Sequence, residues 1–312
     1  MLLNLWQLLS EPFEFAFMVK ALAVGILVGV VCAVLSCFIT LKGWSLMGDA
    51  VSHAVLPGVV LAYLVGAPFG IGAFTFGLAS VLLIGWVSAR TPLRADAIIG
   101  IVFTAFFGVG LILVSKLPSL GEWTAANFGY TPPLLDVRSI LFGNVLGISN
   151  GDIVQTVIAG GITLAIILLF RRDLLLFCFD PNHARAIGLN TGLLHYTLLA
   201  LLALSTVAAL QTIGIVLVVA MLVTPGAIAY MLTDRFGRML ALAVSASVIS
   251  CIIGIYASYY LKASTGGCIV LAQALLFLLV LVVAPRRGLI ARAWSTQRRN
   301  AASGAGQRPS VA

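Results

Sequence analysis

The chain has 312 residues, of which 61% are apolar and only 9% charged, and its formal net charge at pH 7 is +8. A soluble domain carries about 25% charged residues, so the composition excludes an ordinary soluble protein and describes an integral membrane protein. The positive balance does not require nucleic acid, because basic loops facing anionic headgroups account for it.

The first residues, Met1 to Phe17, lack a basic segment ahead of an apolar one, so no cleaved signal peptide is expected. Uncharged runs follow in order, each long enough to cross a ~30 Å core at about 1.5 Å per residue. The first is 21–41. Residues 50–89 hold no charge beyond His53, and Gly66-Ala67-Pro68 divides them into two crossings. A fourth run covers 97–115. The largest external loop then extends from Lys116 to Asp152, with Trp123, Tyr130 and Pro132-Pro133; residues 141–147 in it fit a short interfacial or re-entrant helix.

A fifth run spans 153–170. The connection from Arg171 to His195 contains a predicted short helix, with Asp180 as N-cap, Pro181 in the first turn and Gly188 as the left-handed exit. By itself this helix is either a connector or a knob that a motor subunit grips. Residues 196–232 are long enough for two helices turning near Gln211-Thr212, and runs 239–261 and 263–285 complete nine spans, with eight as the alternative if one segment is re-entrant. Residues 1–290 form one membrane domain, and 291–312 read as a basic, disordered tail. With the C-terminus cytoplasmic, all of the 18 Lys and Arg except Lys20, Lys116, Arg138 and Lys262 fall inside, as the positive-inside rule asks.

The five cysteines, at 32, 37, 178, 251 and 268, form no CxxC pair and read as buried small hydrophobes. No GxxxxGK[ST] phosphate loop and no HExxH helix occurs, so the chain carries neither its own nucleotide motor nor the common zinc-protease arrangement. His183 and His195 flank the predicted short helix as interfacial side chains.

Of the acids, only Asp49 falls inside a span, and His53 follows it by four residues, one turn along the same helical face. A mid-bilayer carboxylate costs roughly 2.5–3.5 kcal/mol. Two readings account for it: a buried Asp–His hydrogen bond between packed helices, or a pair of ligands for manganese, ferrous iron or zinc. Two ligands are too few for a metal site, and a two-fold dimer that donates the same pair twice supplies the rest. Gly43, Gly48, Pro57 and Gly58 around the pair favour an irregular, cavity-lining segment. Thr224-Pro225-Gly226 is a second interruption, either a repaired proline kink or a hinge. Gln211 is expected to donate between helices. A proton-coupled secondary carrier using the same pair is a rival, as is, more remotely, a membrane metallohydrolase.

Several stretches, in order over residues 18–290, carry a family resemblance: 41–58 with its Gly-Asp-x-x-Ser-His motif, 141–147, 179–189, 222–227, 265–271 and 284–289. The chain resembles the permease subunits of metal-type (ABC-3 family) ABC importers, nearest in look to the manganese and chelated-iron branch, with zinc importers as the alternative. The resemblance implies an all-α, BtuC-like type II importer fold and a bacterial inner-membrane location. It implies a second permease, cytoplasmic ATPase subunits that bind ATP, and an extracytoplasmic metal-binding protein. It further implies that Asp49 and His53 line the metal path, and that Asp180, Pro181, Ala184, Arg185 and Gly188 form the helix docking on the ATPase. Lys262, after Ser258-Tyr259-Tyr260-Leu261, stands where many members carry an acid.

Overall fold

The computed structural model describes residues 11–128, 150–284 and 288. The predicted segment 141–147 and the tail 291–312 lie outside these. Among the described residues every regular element is helical. After a short 3-10 turn at Glu11–Glu14 come α1 (Ala16–Lys42), α2 (Met47–Ala54), α3 (Leu56–Val65), α4 (Phe69–Ser88), α5 (Ala95–Ser115), α6 (Leu117–Phe128) and α7 (Asn150–Leu169). These are followed by α8 (Arg171–Phe179), α9 (Pro181–Ala186), α10 (Thr191–Ile213), α11 (Ile215–Leu232), α12 (Phe236–Leu261) and α13 (Thr265–Val283).

Nine helical segments of the described residues are long and apolar enough to cross a membrane, α2 and α3 together making the second. The expected break after the second span is present: Gly66 takes a left-handed φ of 73° and Pro68 opens α4. The expected turn near Gln211-Thr212 lies instead at Gly214 (φ 81°, ψ 166°). Thr212 stays helical, its Oγ1 donating to the Ala209 carbonyl at 3.0 Å, and the turn waits for a glycine, which alone adopts this backbone cheaply. Two helices were not foreseen: α6 in the 116–152 loop and α8 ahead of the short α9.

The long α1 is the hub, packed against α7, α10, α11 and α12; α13 closes over α11 and α12, and α5 covers α2 and α3. Small residues let these helices approach. Gly58 of α3 and Gly72 of α4 meet backbone to backbone, so a side chain at either has no room. Between α7 and α10, Thr163 and Ser205 hydroxyls lie 3.0 Å apart, and Thr156 donates to the Ala208 carbonyl at 3.3 Å. The outer faces of α7 and α13 expose Val154, Val157, Leu275 and Leu279, as a bundle solvated by lipid requires.

Lys42, Arg90, Arg94, Arg171, Arg172, Arg185, Arg235 and Arg238 fall at one end of the bundle, whereas Lys20, Lys116 and Lys262 lie toward the other. Of the five cysteines, Cys32, Cys37, Cys178 and Cys251 are buried free thiols, as expected, and Cys268 is half-buried.

Candidate functional site

The second span begins inside the protein. Gly43 ends α1 with a φ of 71°, Trp44 is buried, and α2 starts at Met47. Its neighbours fix its depth. Gly48 faces Leu222 in mid-α11, Val51 and Val55 face Gly77 in mid-α4, and the His53 ring meets Phe103 and Phe107 in mid-α5. Asp49 and His53 thus stand level with the middle of three other spans, even though Asp49 belongs to the first turn of its own helix.

Met47, Gly48, Ala50, Val51, Ser52 and Ala54 are all buried, so Asp49 and His53 alone make the open seam of α2. Their side chains are 43% and 25% exposed, and His53 Nε2 lies 3.5 Å from Asp49 Oδ1. At that separation the pair is held together without a close direct hydrogen bond, leaving both atoms free to turn to a third party. The Phe103 and Phe107 rings approach the imidazole edge-on at 5.4 and 5.3 Å and stack on each other at 6.0 Å. They restrict the ring to a narrow range of orientations. His53 Nδ1 is buried and finds no partner among the described residues. Among the described residues no three His, Cys, Asp or Glu side chains come together. The donor set within one chain is therefore one carboxylate oxygen and one imidazole nitrogen on an open face.

At the basic end, α9 forms as the sequence suggests. The Asp180 carboxylate accepts from the Asn182 and His183 backbone N–H groups at 3.0 and 2.9 Å, Pro181 occupies the first turn, and Gly188 exits with φ 89°. The expected set is divided between the two faces of the helix. Ala184 is fully buried and Pro181 half-buried, whereas Asp180, Arg185 and Gly188 are exposed together with Asn182, His183, Ala186 and Ile187; Pro181 and Arg185 also line a cavity that opens to the surface. Ile187, 57% exposed, is the large apolar side chain of that outer face.

His195 proves more than an interfacial side chain: its ring is edge-on to Trp44, Phe177 and Tyr196 at 5.2, 6.1 and 5.3 Å. Lys42 Nζ lies 3.9 Å from the Phe177 ring centroid and donates to the Phe177 carbonyl at 3.4 Å, a cation–π clamp tying the end of α1 to α8. Burial pushes the neighbouring Cys178 thiol up to about 11, with Lys42 pulling the other way.

Pro225 leaves α11 unbroken. The repair comes from α1: Ser36 Oγ accepts from the Gly226 N–H at 2.9 Å and donates to the Val223 carbonyl at 3.2 Å. Gln211 sits with Gln155 over Gly70, where both amides occupy the space of a Cβ.

The ABC 3 transport family profile matches residues 14–284. The chain belongs to the ABC 3 transport family. It is a multi-pass transport permease of the ABC class. The manganese transport system membrane protein MntB of Synechocystis sp. is 57% identical over 93% of this chain and 90% of its own length. The chelated iron transport system membrane protein YfeD of Yersinia pestis is 47% identical over 89% of each. Among solved structures, PsaBC from Streptococcus pneumoniae in complex with Fab superposes with a TM-score of 0.76 at 35% identity, covering 91% of this chain and 97% of that one. Sequence reasoning found the two polar residues of this ABC 3 permease but missed Phe103, Phe107 and Ser36. The Phe103/Phe107 spacing of four was a readable signal; nothing local marked Ser36.

Proposed function

We propose that the protein is the membrane subunit of an ATP-driven importer for manganese or ferrous iron, with Asp49 and His53 as transient ligands of the ion in transit. The carrying observation is the geometry of that pair: a carboxylate and an imidazole 3.5 Å apart, level with mid-bundle and alone on an otherwise buried helix. Oxygen and nitrogen donors suit manganese and iron, and the relatives' names point to the same metals. A site of four to six ligands needs more than one chain offers. The open seam is where a second permease, related by a two-fold axis, would bring the same two residues.

The basic end faces the cytoplasm, following the positive-inside rule. There the outer face of α9 docks on a separate ATPase, and an extracytoplasmic binding protein delivers the ion at the opposite end. Pro225 and Gly226 act as the pivot on which α11 turns against α1, since the Gly226 N–H and the Val223 carbonyl on either side of the proline are engaged by Ser36 of α1.

Asp49→Ala is expected to abolish radiomanganese uptake while the chain still inserts and co-purifies with its partners. Uptake at the wild-type rate would remove the ligand role. Uptake that survives inactivation of the partner ATPase would identify a secondary carrier instead.

A further inference from the structure

We propose that the cavity under α2, at the basic end of the bundle, is a binding site for the headgroup of an anionic phospholipid. The cavity has a volume of about 390 Å³ and is walled by the ends of α1, α4, α5, α9 and α10. That volume is within the range of small-molecule sites. Lys42, Arg185 and His195 line it, and among the described residues no carboxylate does.

Neither cation is neutralised there. The Lys42 ammonium has three donors and gives one to the Phe177 carbonyl at 3.4 Å. Among the described residues Arg185 reaches only a neutral group, the Thr191 hydroxyl, with Nε and Nη2 at 3.4 Å each. A half-buried Lys42 and an exposed Arg185 facing one cavity without an acid repel one another, and a phosphate between them would relieve that repulsion. The same two charges make the cavity an unfavourable route for a divalent cation, so it is set apart from the ion path that Asp49 and His53 mark.

The walls select a lipid over a free anion. Met47, Ile84, Ile99 and Leu199 give the interior an apolar lining. Ala89, Gly192 and Tyr196 are exposed, so the cavity reaches the surface between the ends of α4 and α10. Beside that mouth α4 exposes Leu82, Leu83 and Trp86, and the Arg90 guanidinium lies 4.3 Å over the Trp86 ring. A tryptophan stacked under an arginine marks headgroup depth, and basic pockets between spans on the cytoplasmic side take anionic headgroups. An acyl chain lies along Leu82, Leu83 and Trp86, with its phosphate between Lys42 and Arg185. Because Pro181 and Arg185 of α9 line the cavity, the bound lipid braces the helix whose outer face carries Ile187. This placement rests on the cytoplasmic assignment of the basic end.

The test is lipid retention by the full-length chain, purified in mild detergent, incubated with mixed phosphatidylcholine–phosphatidylglycerol micelles, washed and weighed by native mass spectrometry. One phosphatidylglycerol per chain should survive washing that strips phosphatidylcholine. Lys42→Gln, which removes a charge, and Ala89→Trp, which blocks the mouth without touching a charge, should each cut retention roughly tenfold or more. Gly161→Ala on the open outer face of α7 should leave it unchanged. Equal loss of both lipids from the wild type, or full retention in Ala89→Trp, overturns the site. Displacement of the phosphatidylglycerol by millimolar inorganic phosphate overturns the lipid assignment in favour of a soluble anion. The binding readout in detergent does not depend on orientation. If impermeant labelling places Arg235 outside the cell, the orientation fails while retention still reports on the cavity.

Discussion

Gly226 offers the sharpest test of how α1 and α11 are joined. A Cβ there would meet the Ser36 carbonyl oxygen and Oγ at 2.5 Å each and Thr40 Oγ1 at 2.6 Å. Ordinary contact needs about 3.5 Å, so Gly226→Ala must push α1 away by roughly 1 Å. The same movement stretches the Gly226 N–H···Oγ Ser36 bond, now 2.9 Å, beyond hydrogen-bonding range. Overpacking costs ~1–3 kcal/mol, and the orphaned buried N–H adds ~1–3 kcal/mol. Alanine's better helix propensity returns only ~1 kcal/mol, so a net loss of about 1–5 kcal/mol is expected. Gly161 is the internal control: it is helical and nothing lies within 4 Å of its Cβ position, so Gly161→Ala should be neutral or stabilise by up to ~1 kcal/mol. Both variants can be compared by thermal unfolding of the purified chain in one detergent. A Gly226→Ala protein as stable as Gly161→Ala would show that α1 and α11 are not clamped here.

Three further outcomes follow from the site. Phe103→Ala removes one wall of the His53 ring, and the ion concentration for half-maximal uptake should rise several-fold, about the ~1 kcal/mol that one aromatic contact is worth; an unchanged uptake curve refutes the orienting role. Ile187→Asp places a charge on the exposed face of α9 and should abolish co-purification with the ATPase without lowering the unfolding temperature, whereas Ala184→Asp, at a buried position, should destabilise the fold itself. Cys178, buried with its thiol held at about 11, carries about one thiolate in ten thousand molecules at pH 7. Maleimide should therefore modify it only after denaturation, and Lys42→Gln, which removes the charge that lowers that value, should make it less reactive still at pH 9.

The span count was legible because hydropathy and backbone-breaking residues act locally. Gly66 and Pro68 announce the turn before α4, and Asp180, Pro181 and Gly188 announce α9, each through a preference built into its own covalent structure. The turn lies at Gly214, two residues beyond the expected Gln211-Thr212, because glycine's backbone freedom and not side-chain polarity sets where the chain reverses. In a span, a threonine can return its hydroxyl to the preceding turn, as Thr212 does, so polarity alone breaks nothing. Helices α6 and α8 were unread because each is too short and too mixed in character to show as a span. The orientation of α9 was unread for a different reason. A two-turn helix has few residues to define an apolar stripe, and which face turns inward is decided by α8 and α10, not by its own pattern.

The Asp49–His53 pair shows why a site can be legible while its meaning is not. Spacing of four places both side chains on one face in any helix, and hydropathy places that helix in the membrane. A packing pair and a ligand pair would read alike to that point. What separates them is the rest of α2. A hydrogen-bonded pair that existed to neutralise buried polarity would be turned inward and closed, at about 2.9 Å. Here every neighbouring position of α2 is buried, while these two residues lie on the side the bundle leaves open, 3.5 Å apart. The imidazole is steered from behind by Phe103 and Phe107. A carboxylate exposed at mid-bundle depth cannot be left to lipid, since hydrocarbon offers it no partner. On the function proposed above, the open seam calls for protein across it, and a second copy carrying the same two donors would meet that demand and complete the ion's ligand set at once.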